Sequence, residues 1–125
     1  MDKFNVHPFF MAKIKTLRPS LREKKRYVAF EILSNKSFSA RDITAGIRRA
    51  LSKALGTIGL AGAGVLFVPP TIKDNMGIFR VNHNYVDAVR ASFALATEVA
   101  GDRVVIRTIG VSGILKKVKM RILER

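Results

Sequence analysis

The chain has 125 residues, a mass of 13.9 kDa and 48% hydrophobic side chains, which is enough to bury the core of one domain and excludes wholesale disorder. Its 23 Lys+Arg against 9 Asp+Glu give a formal charge of +14 and a pI of about 11.0, the balance of a protein that faces a polyanion. The absence of cysteine excludes disulfide frameworks, thiolate metal sites and thiol nucleophiles, and it fits a reducing compartment, expected to be the cytoplasm.

Residues 1–25 read as a basic N-terminal arm and residues 26–125 as one α/β domain. In the arm and its junction, Lys3, Lys13, Lys15, Arg18, Arg22, Lys24, Lys25 and Arg26 stand against Asp2 and Glu23, with poor apolar periodicity. Residues 1–15 lack a continuous apolar stretch and a small-residue cleavage site, so no secretory signal is expected. The first strand is predicted over Arg26–Ser34, where Val28, Phe30 and Ile32 alternate with Tyr27, Ala29, Glu31 and Leu33 and give one well-buried face.

A helix follows. Ser39 suits its N-cap, Asp42 complements the positive end, and Phe38 with Ile43 has the spacing of a hydrophobic staple. Ile43, Ile47, Ala50, Leu51, Ala54 and Leu55 form the apolar stripe, Arg41, Arg48, Arg49 and Lys53 the wet side, and Gly56 the end. Gly62–Ile72 reads as an edge strand because of Pro69-Pro70, and Lys73–Met76 as a hairpin turn leading into a strand over Gly77–Asn82. A second helix is predicted from about Asn84 to Ala100 with Val86, Val89, Phe93 and Ala96 inward, then a turn at Gly101-Asp102 and a fourth strand, Arg103–Ile109. Ser112 can cap a last helix, Gly113–Leu123, with Ile114, Val118 and Ile122 inward. The apolar, glycine-interrupted window Leu55–Val68 is far short of the roughly 20 residues that span a bilayer, so no membrane contact is expected.

The order β-α-β-β-α-β plus a terminal helix is the split arrangement of ferredoxin-like and RNA-recognition-motif-like α+β sandwiches, with strand order 4-1-3-2. Catalytic raw material is thin. His7 and His83 have no carboxylate at dyad or metal-ligand spacing, and the nine carboxylates are scattered. Glu31, inside a strand, is expected to pair with a strand arginine. Gly59–Gly64 lacks the Lys-Ser/Thr of a phosphate loop and reads as a helix-to-strand connection. Gly110-Val-Ser-Gly113 follows a strand and opens a basic helix, which fits a phosphate contact and an ordinary N-cap equally well. No catalytic residues, metal ligands or bound cofactor are expected.

The basic residues cluster in the arm, the first helix and the last helix, with Arg80, Arg103 and Arg107 added by strands opposite buried neighbours. Three such runs with few acids favour nucleic acid. An RNA-recognition motif would place aromatics on its central strands, whereas Ile78 and Arg80 stand there beside Tyr27 alone. Contacts to phosphate and RNA shape are therefore expected instead of base stacking.

Lys24–Phe30, Gly77–Val81 and Arg107–Gly113 followed by basic residues resemble, in that order, the family of archaeal ribonuclease P protein component 2, homologues of the eukaryotic Pop-five subunit. The resemblance runs from about Leu17 to the C-terminus and leaves Met1–Phe10 outside, with Met11 the more typical family start. It implies an RNA-recognition-motif-like fold and a non-catalytic subunit of the ribonucleoprotein that removes 5′ leaders from precursor tRNA. In that assembly the RNA, with Mg²⁺, does the chemistry, and the protein pairs with a barrel-shaped ribonuclease P subunit. One departure is Ile114, where the family often has Thr, and it removes a hydroxyl from that position.

The expected RNA-binding residues are Arg18, Arg22, Lys24, Lys25, Arg26, Arg80, Arg107, Ser112, Gly113, Lys116, Lys117, Lys119 and Arg121. The arm's end and the last helix should merge into one patch, because the strands they adjoin lie near each other. Extra apolar residues at Ile58, Leu60, Leu95 and Val99 are expected to leave an apolar surface for the protein partner or for self-association. The competing readings are a ribosomal or other RNA-structural protein, and a small-molecule-binding ferredoxin-like regulatory domain whose binding would be insensitive to salt.

Overall fold

A computed structural model of the chain describes residues 24–96 and 98–124; the expected contacts Arg18 and Arg22 lie outside them. A four-stranded antiparallel sheet is built from β1 (Lys25–Leu33), β2 (Leu66–Phe67), β3 (Met76–Asn82) and a late strand, Val105–Ser112. Between β3 and that strand, a two-stranded hairpin of β4 (Glu98–Val99) and β5 (Asp102–Arg103) stands apart, so Val105–Ser112 is β6. The helices are α1 (Ala40–Ala63), α2 (Val86–Leu95) and α3 (Leu115–Leu123). The sheet order β2-β3-β1-β6 is the expected split arrangement.

Periodicity explains the main core. Val28, Phe30 and Ile32 of β1, Phe79 and Val81 of β3 and Ile106 of β6 face the inner stripes of α1 (Ile43, Ile47, Leu51) and α2 (Val89, Phe93). Three phenylalanines knit the layers: Phe30 and Phe79 lie 5.8 Å apart, and Phe93 meets Phe79 edge-on at 6.1 Å. β1 buries both faces, where one was expected. Ala29, with Ile78 of β3, is covered by Val118 of α3, which lies across the face opposite α1 and α2.

Several boundaries differ from the sequence expectation. Gly56 does break α1, at φ 77° and ψ 172°, but helical turns resume to Ala63 because Leu60 and Ala63 pack on the core; Gly64 closes the helix in the left-handed region. The glycine-rich stretch read as a connection is thus mostly helix. The predicted second strand shrinks to Leu66–Phe67, since Pro69 and Pro70 have no N–H for a ladder and form a 3-10 turn, Pro69–Thr71. The Asp74-Asn75 hairpin forms as read, both residues at positive φ. Asn75 Oδ1 also accepts from the Phe38 N–H at 2.9 Å, tying this turn to the entry of α1.

α2 ends five residues early, at Leu95, after a 3-10 turn over His83–Tyr85. The residues beyond it form the β4–β5 hairpin, turned at Ala100 and Gly101, which presses Val99 into the core. β6 starts and ends later than predicted. A bulge between Ala29 and Phe30 of β1 leaves Ile109 unpaired on β6 and lets the pairing run on to Ser112. α3 starts at Leu115, with Ile114 at its N-cap, 52% exposed instead of inward; Leu115, Val118 and Ile122 do the packing. Of the apolar extras, Ile58 and Leu95 are exposed as expected, but Leu60 packs against the core and Val99 is fully buried.

Candidate nucleic-acid interface

Antiparallel pairing places the start of β1 beside the end of β6, with Tyr27 opposite Ser112. The cations that flank those two strands in sequence therefore become neighbours in space. Lys24 opens the described chain, and its carbonyl accepts from the His83 N–H at 2.8 Å, which anchors this end of β1 to the turn before α2. Arg26 donates to the Lys25 carbonyl at 3.0 Å and lies against Gly113, where an added Cβ would stand 3.3 Å from Arg26 Nη1. Lys25 is more engaged than a free phosphate ligand would be, because its ammonium donates to Asn82 Oδ1 while Asn82 Nδ2 donates to the Gly62 carbonyl at 2.6 Å.

α3 supplies the second half. Its inward residues hold it on the sheet, which leaves Lys116, Lys117, Lys119 and Arg121 exposed. Lys117 and Arg121, one turn apart, line a shallow cleft of about 260 Å³ with Val111 and Ser112 at the end of β6. Arg121 reaches this position by lying over Gly110, whose missing side chain leaves room: a Cβ there would meet Arg121 Nε at 3.3 Å. Ser112 does not cap α3. Its hydroxyl accepts from the Ile114 N–H at 3.1 Å in a local turn one residue earlier than the helix.

The sheet arginines divide. Arg107 is neutralised by Glu31, its Nε and Nη2 both 2.9 Å from Oε1, which is the strand pairing the sequence implied. Arg80 lies half-buried on β3 between Tyr27 and Leu66 in register, and its Nε is buried with no hydrogen-bond acceptor. Thus Arg26, Ser112, Gly113, Lys117 and Arg121 come together, with Lys24 and Lys25 at the same end of β1 and Lys116 and Lys119 exposed on the same helix. Arg80 lies in the same cross-strand row, beyond Tyr27 from Ser112, while Arg107 stands further along β6, paired with Glu31.

Sequence reading did not place α3, and its position decides what this face can do. Tyr27, Ala29, Ile78, Val68 and Ile109 are packed under Leu115, Val118 and Ile122, so the surface that an RNA-recognition motif leaves open for stacking is occupied. What remains at this end is charge and hydrogen-bond donors. Among the described residues no group of three or more His, Asp or Glu could hold a metal ion, and no helix is long and apolar enough to cross a membrane.

Fold and surface together define a small, strongly basic ferredoxin-like α+β protein whose second sheet face is capped by its own C-terminal helix. Residues 26–123 match the Rpp14/Pop5 family, and the chain belongs to it. The chain is 41% identical over 113 residues to Ribonuclease P protein component 2 of Pyrococcus abyssi, covering 90% of this chain and 96% of that one. It is 37% identical over 111 residues to the protein of the same name from Thermococcus kodakarensis, covering 89% and 92%. A chain in the cryo-EM structure of yeast ribonuclease MRP shares the fold, with a TM-score of 0.51 at 19% identity over 82% of this chain and 88% of that one.

Proposed function

We propose that this chain is a non-catalytic, RNA-binding protein subunit of ribonuclease P, supporting the RNA that removes 5′ leaders from precursor tRNA. The observation that carries the reading is the convergence, in a member of the Rpp14/Pop5 family, of the β1 start, the β6 end and α3 into one cationic end beside a covered sheet face. Lysines on an exposed helix act as mobile point charges, suited to phosphates whose positions vary along a folded RNA. By neutralising close-packed phosphates they let the RNA fold compactly and bind its substrate and Mg²⁺, which enters with the RNA; the protein itself holds no cofactor. The protein partner is the barrel-shaped ribonuclease P subunit, and exposed Ile58 and Leu95 are available to it or to a second copy of this chain. The assembly works in the cytoplasm.

The test is the affinity of the chain for its ribonuclease P RNA as a function of salt. With about six phosphates engaged, the log–log slope is expected near roughly −4 to −5. Replacing Lys116, Lys117 and Lys119 by Ala flattens it by about two to three units and raises the Mg²⁺ needed for processing, while activity at saturating Mg²⁺ is retained. An unchanged slope and an unchanged Mg²⁺ requirement would move the RNA contact off α3.

A further inference from the structure

α1 carries a second set of cations in a different setting. Arg41 and Arg48 are exposed and, among the described residues, form no ion pair. The Arg48 guanidinium stacks 5.1 Å from the centroid of Phe67, in the edge strand β2. Beneath the two arginines, α1 and β2 border a groove of about 560 Å³ floored by Thr44, Ala45, Phe67 and Pro69. This face is on the α1–α2 side of the sheet, away from α3.

The two cationic surfaces differ in chemistry. The β1–α3 end is rich in lysine and has no apolar floor comparable to this groove. The groove pairs arginine with an aromatic ring and aliphatic walls, the composition that protein–protein interface cores favour and from which lysine is depleted. A guanidinium stacked on a ring keeps its N–H edges free and presents them as a fork that matches a carboxylate. Burying the aliphatic floor gains free energy only if the occupant brings apolar surface. A phosphate backbone brings none, and the Phe67 ring on which a base would stack already carries the Arg48 guanidinium.

We propose that the α1–β2 groove is a protein-docking surface for an acidic segment of a partner, which seats an apolar side chain over Phe67 and Pro69 and sets carboxylates on Arg41 and Arg48. The chain then has two working sides, RNA at the β1–α3 end and protein at α1–β2. The choice of first partner, the barrel-shaped subunit, rests on the function proposed above.

The full chain is titrated with the purified barrel-shaped subunit and, separately, with ribonuclease P RNA. Two variants are compared with the wild type: Arg41→Glu with Arg48→Glu, and Ala45→Trp, which fills the groove without changing charge. These positions are exposed, and circular dichroism with thermal melting checks that the fold is kept. Both variants are expected to weaken barrel binding by roughly tenfold or more. Ala45→Trp should leave RNA affinity within about twofold, whereas Lys116, Lys117 and Lys119→Ala gives the reverse pattern. If the wild type binds the barrel subunit and both groove variants bind it equally well, the docking surface is overturned. Loss of RNA affinity in Ala45→Trp overturns it too and makes the groove an RNA contact. Failure of the wild type to bind the barrel subunit overturns the pairing itself, while the RNA titration still reports on the RNA reading.

Discussion

Gly46 of α1 takes Val99 of β4 against its backbone so closely that a Cβ at Gly46 would stand 2.8 Å from Val99 Cγ2. This contact lets the β4–β5 hairpin close the core after α2 has ended. Val99 is fully buried and β-branched, so it cannot swing aside. Gly46→Ala is expected to lower stability by about 1–3 kcal/mol, an overpacking cost that exceeds the helix-propensity gain of about 1 kcal/mol. In a Val99→Ala background the same substitution should become neutral or stabilising. Urea denaturation of the two single variants and the double variant measures the coupling, and additivity would refute the contact.

The break inside α1 has no packing cause at Gly56, since a Cβ there would meet nothing within 4 Å. Its φ of 77° with ψ of 172° is a conformation essentially reserved for glycine. Gly56→Ala should therefore destabilise by about 1–3 kcal/mol. In an unbroken helix the same change would stabilise by up to about 1 kcal/mol, so the sign of the shift in thermal denaturation decides whether the break exists in solution.

The Glu31–Arg107 pair joins β1 to β6 with Arg107 about half exposed. Its contribution to stability is expected to be at most about 1 kcal/mol and to fade with added salt. Glu31→Gln releases a fixed cation on the sheet. If that cation reaches a phosphate, the salt slope for RNA steepens by about one unit, whereas an unchanged slope would place Arg107 outside the interface.

Val118 is the fully buried residue by which α3 covers Ala29 and Ile78. Val118→Ala should cost about 1–2.5 kcal/mol, whereas Lys116→Ala, two residues away and exposed, should stay within about 0.5 kcal/mol. Equal effects in chemical denaturation would mean that α3 does not rest on the sheet.

Local patterns in the sequence already contained much of this architecture. Alternation from Tyr27 to Leu33 marks a central strand, Ser39 caps α1 by accepting from the Asp42 N–H at 3.1 Å, and Asp74-Asn75 turns the hairpin. That Glu31, inside this strand, pairs with a strand arginine was legible as well; that the arginine is Arg107 depends on the β1–β6 register, which the bulge between Ala29 and Phe30 shifts. Each legible feature depends on residues near in sequence or on a periodicity that one strand carries by itself.

What only the tertiary structure decided concerns partners far apart in the chain. Helical turns after Gly56 persist because Leu60 and Ala63 find the core, although the glycine by itself signals an end. Val99 leaves the predicted second helix because the notch at Gly46, 53 positions earlier, accepts it. α3 could have pointed its amphipathic stripe at solvent, a partner or either sheet face. It lies over Ala29 and Ile78 because small and branched side chains on those two strands leave an apolar surface that Leu115, Val118 and Ile122 can cover. An apolar stripe specifies that something must be buried, and only the shape complementarity of distant residues specifies against what.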